Sequence, residues 1–305
     1  MKVAILLCTL HGQHYLAEQL QSVAAQTFPD WEIFASDDGS EDDTHALLLS
    51  QQTAWPAGKL TIHSGPAEGF AANFLSLICN ASIQADYYAF ADQDDVWEPN
   101  KLERAVAWLS TVPQGVPALY GTRTLLVDEN NQAKGLSPLF PKPPCFANAL
   151  MQNIAGGNTM VFNKAARTLL REAGENIDVV THDWWVYQVV SGCGGRVFYD
   201  AYPSLRYRQH NGNAVGQNTD WRARLSRIRL LAKGRFKSWN DRNVVALERI
   251  NDKLTPENQR ILQRFKTART QWLLPRLVGF WRAGIHRQSA LSNIGLFVAA
   301  LFNKV

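Results

Sequence analysis

The chain has 305 residues, of which 46% are hydrophobic and 19% charged, and a formal net charge of +4. This composition supports a sizeable buried core and excludes a disordered or fibrous polymer, and the length holds one large or two ordinary domains. Charge is unevenly placed: residues 1–100 carry Lys2 and Lys59 as their only basic side chains besides histidine, whereas no Asp or Glu follows Glu257. An acidic front and a basic back point to a metal-dependent site joined to a surface that meets something anionic. Cys8, Cys79, Cys145 and Cys193 are far apart with no metal-type spacing, so all are expected reduced, as suits the cytoplasm. The apolar start Met1–Leu7 is too short for a signal peptide and reads as a core strand. No run approaches the ~20 apolar residues that span a bilayer.

Val3–Leu7 is the first predicted strand, and Leu16, Leu20 and Val23 then share one helical face. Trp31–Ala35 is the second strand, followed by a helix through Leu47–Leu49 that Ser40 or Asp42 can cap. Leu60–His63 is a short third strand. A helix carrying Phe74, Leu77 and Ile78 precedes a fourth strand, Tyr87–Ala91. Strands alternating with helices predict a doubly wound, mostly parallel α/β sheet. Pro99 opens the next helix, on which Lys101 and Arg104 read as exposed. Ala118–Thr122 and Thr124–Asp128 look like a strand pair, and 135–144 is a proline-rich surface loop. Asn158–Phe162 is a strand, Lys164–Glu172 a helix and His182–Val190 a second helix with an aromatic face. Arg196–Tyr199 and Leu205–Tyr207 return to β structure before the Asn211-Gly212-Asn213 turn. Thr255-Pro256-Glu257 starts a helix whose apolar stripe is Ile261, Leu262, Phe265, Ala268 and Trp272.

Two acidic stretches carry the chemistry. Asp37-Asp38-Gly39-Ser40 follows the second strand and Asp92-Gln93-Asp94-Asp95 the fourth. Ligands bind at the carboxyl ends of strands in such sheets. Carboxylates so crowded repel one another unless a cation held by oxygen ligands sits among them. The plainer alternative is solvated turns and helix caps.

Together with Cys8-Thr9-Leu10, Gly156-Gly157-Asn158-Thr159, His182-Asp183-Trp184-Trp185 and Tyr207-Arg208-Gln209-His210-Asn211, these stretches resemble family 2 glycosyltransferases of the GT-A fold. The resemblance is to the bacterial rhamnosyltransferase-like branch and covers roughly residues 1–215. It implies that Asp94 ligates Mn²⁺ or Mg²⁺, and that Asp92 holds the ribose or a metal-bound water. Asp95 supports the site or caps the following helix, and His210 is a further metal ligand. It implies that Thr9, His11 and either Asp37 or Asp38 contact the nucleotide base. Arg208 would meet the diphosphate. Asp183 would be the general base. The family usually has Glu-Asp at that point, and His182 replaces the Glu, leaving Asp183 as the carboxylate candidate. Gly156, Gly157 and Asn158 match an acceptor-side loop, and Trp184 or Trp185 either stacks on a sugar or packs in the core.

Residues 1–215 are thus expected to be the nucleotide-sugar-dependent catalytic domain, and 216–305 a basic helical region that meets a membrane interface or a second subunit. Arg222 to Lys237 interleave with apolar residues, as do Trp272–Trp281 with Arg276 and Arg282, and Ile294–Phe302 is too short to span. No nucleic-acid partner is expected. The expected reaction is inverting transfer from dTDP-L-rhamnose to a lipid-linked glycan at the inner face of the cytoplasmic membrane. UDP-hexose or UDP-N-acetylhexosamine is the alternative donor, and a non-catalytic nucleotide-sugar- or glycan-binding module the alternative of another class.

Overall fold

The computed structural model describes residues 1–210 and 235–305. Among these residues the core is a nine-stranded mixed sheet in which parallel pairings carry most of the register. Strands β1 (Val3–Thr9), β2 (Trp31–Asp37), β3 (Leu60–Ser64) and β4 (Tyr87–Ala91) run parallel in the order β3-β2-β1-β4. β1 and β4 are buried along their whole length, which explains their unbroken apolar runs. Each fully buried Val, Leu or Ile there contributes about 1.5–3 kcal/mol. β8 (Val161–Asn163) is antiparallel to β4 and to β6 (Ala118–Val127). β6 runs parallel to β9 (Arg196–Arg208), β5 (Val96–Trp97) closes the far edge on β9, and β7 (Ala133–Leu136) pairs with β6.

Helices cover both faces. α1 (Leu16–Ala24), α2 (Thr44–Ala54) and α4 (Lys101–Leu109) share one apolar cluster with Ile5, Ile33 and Ala89. α3 (Phe70–Cys79), α5 (Phe146–Ala149), α6 (Lys164–Ala173) and α7 (His182–Gly192) pack on the other face around Phe90 and Phe162. Because β1, β2 and β4 are in register and parallel, Thr9, Asp37 and Asp92 lie at the same edge of the sheet.

Several local expectations change. β6 and β9 are single strands of 10 and 13 residues rather than broken pairs. Register shifts around Thr122–Leu125 absorb the irregularity, and Arg123 still pairs with Pro203. β8 starts three residues later than expected, because Gly157–Thr159 form a 3₁₀ turn. Within 135–144, the first two residues belong to β7. α4 begins two residues after Pro99. Asp43, not Ser40 or Asp42, precedes α2, although Asp42 still accepts from the Thr44 N–H.

The C-terminal helices are α8 (Arg235–Arg249), α9 (Pro256–Thr270), α10 (Leu273–Arg282) and α11 (Ala290–Leu301). Thr255 caps α9 as its sequence predicts, accepting from the Asn258 N–H. Leu247, Leu262, Phe265, Phe280 and Leu296 join the same apolar cluster as Phe90 and Trp185, so this region packs on the sheet-bearing part. Trp272 leaves the stripe: α9 ends at Thr270, and Trp272 caps α10 with 65% of its surface exposed. The basic residues Arg222 to Lys233 and the 211–213 turn lie outside the described residues.

Candidate active site

One wall of the site is built from the ends of β1 and β2. Asp37 Oδ1 accepts from Thr9 Oγ1 at 2.7 Å and from Ser40 Oγ at 2.6 Å, and its Oδ2 accepts from the Ser40 N–H at 3.0 Å. Burial raises the Asp37 pKa, but the hydrogen bonds from Ser40 and Thr9 outweigh it and hold the group below the usual carboxylate range. Asp38 is buried and accepts from the N–H groups of Ala67 and Gly69, fixing the loop after β3. His11 adopts a left-handed φ of 50° and its Nδ1 accepts from the Glu41 N–H. Gln93, inside the second acidic stretch, clamps both backbone groups of Leu10 at 2.8 Å. The two acidic motifs therefore share one wall.

Asp92 to Asp95 form the loop between β4 and β5. His210 Nε2 and Asp94 Oδ2 are 2.8 Å apart, so the residue at the end of β9 meets the loop across 116 positions of sequence. Asp95 is buried and its Oδ2 accepts from Asn158 Nδ2 at 2.6 Å. Burial, and then the charges of Asp94 and Asp183, push Asp92 up to about 7, against the pull of Lys101. Burial and the charges of Asp94 and Asp92 likewise raise Asp95 well above the carboxylate range. Burial and crowding thus disfavour full ionisation of this cluster, and a positive charge placed among these carboxyls would favour their ionised forms.

Lys101 corrects the sequence reading. It is 0% exposed, with Nζ donating to Asn158 O at 2.6 Å and lying 4.5 Å over the Trp97 ring. Burial lowers its pKa to about 7, although Asp95 and Asp92 oppose the shift. The signal was available: Lys101, Ala105 and Leu109 are spaced i, i+4, i+8 on the buried face of α4. Arg104 is partly exposed and holds Asp200.

The base candidate sits in the first turn of α7. Asp183 Oδ2 accepts from the Gly157 N–H at 3.1 Å and Oδ1 from the Trp184 N–H at 2.7 Å. The 3₁₀ turn therefore joins the two acidic centres, Asn158 gripping Asp95 and Gly157 gripping Asp183. His182, beneath them, stacks on Phe74 at 3.9 Å and meets the Phe90 ring edge at 4.7 Å. Burial pushes its pKa down to about 4 against the charge of Asp183, so the imidazole is neutral, and neither ring nitrogen is hydrogen-bonded among the described residues. A Cβ on Gly157 would lie 2.4 Å from His182 Nε2, which is why glycine stands there.

Of the two readings of Trp184 and Trp185, packing holds: they are 6% and 0% exposed, and Trp184 Nε1 donates to Ala149 O. Two expectations are corrected. Asn158 is buried, and its amide serves Asp95 rather than an acceptor. Arg208 is buried, donating to Asp94 O, Glu129 O and Glu18 Oε2 and lying over the Tyr15 ring, so it braces the acidic loop instead of facing a diphosphate. A cavity of about 220 Å³ beside Asp178, Asp241 and Arg242 lies apart from this cluster.

The sequence profile of glycosyl transferase family 2 matches residues 4–170, more than half of the chain. The chain belongs to glycosyl transferase family 2. It is a glycosyltransferase. It is 28% identical over 235 residues to the dTDP-rhamnosyl transferase RfbG of Shigella flexneri, covering 74% of this chain and 78% of that one. It is 25% identical over 137 residues to the UDP-Glc:alpha-D-GlcNAc-diphosphoundecaprenol beta-1,3-glucosyltransferase WfgD of Escherichia coli, covering 45% of this chain and 51% of that one. The fold matches the mannosyltransferase PcManGT of Pyrobaculum calidifontis, solved with GDP-Man and Mn²⁺, with a TM-score of 0.52 at 16% identity over 99% of this chain and 85% of that one. The GT-A fold expected from the motifs is the fold observed.

The donor set fits a divalent cation. A carboxylate and an imidazole converge at Asp94 and His210, and the Asp92 carboxyl is near enough for the Asp94 charge to raise its pKa. Among the described residues no group of three or more His, Cys, Asp or Glu side chains is arranged to hold a metal ion.

Proposed function

We propose that this family 2 glycosyltransferase is a metal-dependent, inverting enzyme that moves L-rhamnose from dTDP-L-rhamnose onto a lipid-linked glycan. It would work on the cytoplasmic side of the membrane, building a cell-surface polysaccharide. The observation that carries the reading is the 3₁₀ turn that joins the acidic loop to the base candidate, Asn158 holding Asp95 and Gly157 holding Asp183, with His210 2.8 Å from Asp94. Thr9, Asp37, Asp38 and His11 would line the base end, and Asp92 the ribose. Asp94 and His210 would hold Mn²⁺ or Mg²⁺, which neutralises charge on a leaving diphosphate.

The acceptor hydroxyl oxygen attacks the anomeric carbon opposite the departing nucleoside diphosphate, and the new C–O bond forms as the C–O(phosphate) bond breaks. The hydroxyl proton passes to Asp183. Hydrogen bonds from the Gly157 and Trp184 N–H groups hold Asp183 for that task and leave lone pairs to accept a proton. Gly156, exposed beside the buried Gly157, would offer backbone rather than side chain to the acceptor. The likeness to RfbG supports the rhamnosyl donor, and that to WfgD supports UDP-glucose as the second reading.

A panel of dTDP-, UDP- and GDP-sugars, assayed for nucleotide release with Mn²⁺ and with chelator, tests the reading. Release from dTDP-rhamnose above the other donors is expected, and release only from UDP-sugars would refute the rhamnosyl assignment. Asp183→Asn is expected to lower turnover by roughly a hundredfold or more while donor binding stays nearly intact. Unchanged turnover would move the base to another group.

A further inference from the structure

The C-terminal helix pair presents apolar surface that the fold itself does not bury. On α10, Leu274, Val278 and Trp281 recur at i, i+4, i+7 and are 59%, 45% and 75% exposed. On α11, Leu291, Ile294 and Val298 recur at i, i+3, i+7 at 76%, 61% and 46%, and Phe302 follows at 72%. These are not frayed ends. The opposite faces are locked inward by Phe280, Leu296, Ala299 and Ala300. Arg276 Nη1 ties the helices together by donating to Ala300 O at 2.7 Å, and Gln288 Nε2 donates to Lys142 O in the catalytic part. Apolar area held outward in this way marks an interaction surface.

We propose that this face lies in the headgroup region of an anionic lipid bilayer. Charge chooses the occupant. No carboxylate side chain follows Glu257, and a groove of about 420 Å³ between α9 and α10 is lined by Gln263, Arg264, Gln271 and Arg282. Its guanidinium-bearing wall adjoins the helix that carries Trp281, the pairing of aromatic and basic residues that interfacial helices use. Length chooses the depth: α10 and α11 have 10 and 12 residues, and no described helix is long and apolar enough to cross a membrane. At 1.5 Å per residue each extends only about 15–18 Å, so both lie on the surface. Of the two cations the sequence singled out here, Arg276 is buried on Ala300 O and Gln271 O, whereas Arg282 is exposed. Arg264 is exposed beside it, one guanidinium nitrogen donating to Arg282 O and the rest of the group open to solvent, and this pair would meet headgroups.

This surface does not depend on the identity of the donor sugar. Cutting the chain at Ile285 would confound the test, because Ile285, Leu296 and Val305 are buried. Full-length protein is therefore sedimented with phosphatidylcholine vesicles with and without phosphatidylglycerol, at low and high salt. Binding to the anionic vesicles, weakened by salt and accompanied by a blue shift of tryptophan emission, is expected. The triple variant Trp281→Ser, Leu291→Ser, Phe302→Ser should lose vesicle affinity about tenfold or more, with its thermal midpoint and donor hydrolysis unchanged. Arg264→Gln with Arg282→Gln should abolish the preference for anionic lipid. Wild type that ignores anionic vesicles at low salt while still hydrolysing donor overturns this inference and leaves the catalytic reading standing. Light scattering that shows a dimer broken by the triple variant overturns it in favour of a second copy of the chain.

Discussion

His182→Phe isolates a charge that the fold refuses to bury. His182 stacks on Phe74 and meets Phe90 edge-on beneath Gly157, and burial pushes its pKa down to about 4 from the ordinary 6.5, against the attraction of Asp183. Between those values the unfolded chain binds the proton and the folded chain does not. The contribution is fully present above pH 6.5 and is lost as pH falls toward 4. At about 1.4 kcal/mol per pKa unit, the loss across that window is about 3 kcal/mol. Phenylalanine keeps the aromatic stack but cannot titrate, and its slightly larger ring adds a pH-independent offset of about 1–3 kcal/mol. Asp92 also titrates in the window, but equally in both proteins, so the difference isolates His182. The assay is urea unfolding of both proteins at intervals from pH 4 to pH 7, with ΔG compared at each pH. The gap between variant and wild type should move by about 3 kcal/mol in favour of the variant on acidification. Parallel curves would refute a buried neutral His182.

The remaining predictions concern the same cluster. Gly157→Ala places a Cβ 2.4 Å from His182 Nε2 and shifts the N–H that holds Asp183, so turnover should fall more than tenfold with a loss of about 1–3 kcal/mol in stability, measured by kinetics and urea melts. Lys101→Met leaves Asn158 O without its donor, at a cost of about 1–3 kcal/mol, and should lower turnover while leaving far-UV circular dichroism unchanged. Asp94→Ala should abolish transfer, and excess EDTA should do the same to wild type, with loss of bound Mn²⁺ read directly by electron paramagnetic resonance. Full activity in EDTA would rule out the cation.

The sequence by itself determined the alternation of strands and helices, because period-two and period-3.6 patterns are local and the β1 and β4 runs are buried along their whole length. It also placed Asp37, Asp92 and Asp94 at strand ends, since the acidic residues begin where the apolar runs stop. Asp183 and His210 became legible through motif resemblance, not periodicity. What the sequence could not decide were contacts made across long separations. Arg208 braces a loop 114 residues away, Lys101 reaches Asn158 across 57, and Trp184 finds a carbonyl 35 residues back. Each is a polar or aromatic side chain whose role depends on what the fold puts against it, because a buried donor must find an acceptor. The tertiary structure alone decided that Arg276 is internal while Arg282 and Trp281 face outward, since the packing of α9 and α11 selects which side of α10 is covered.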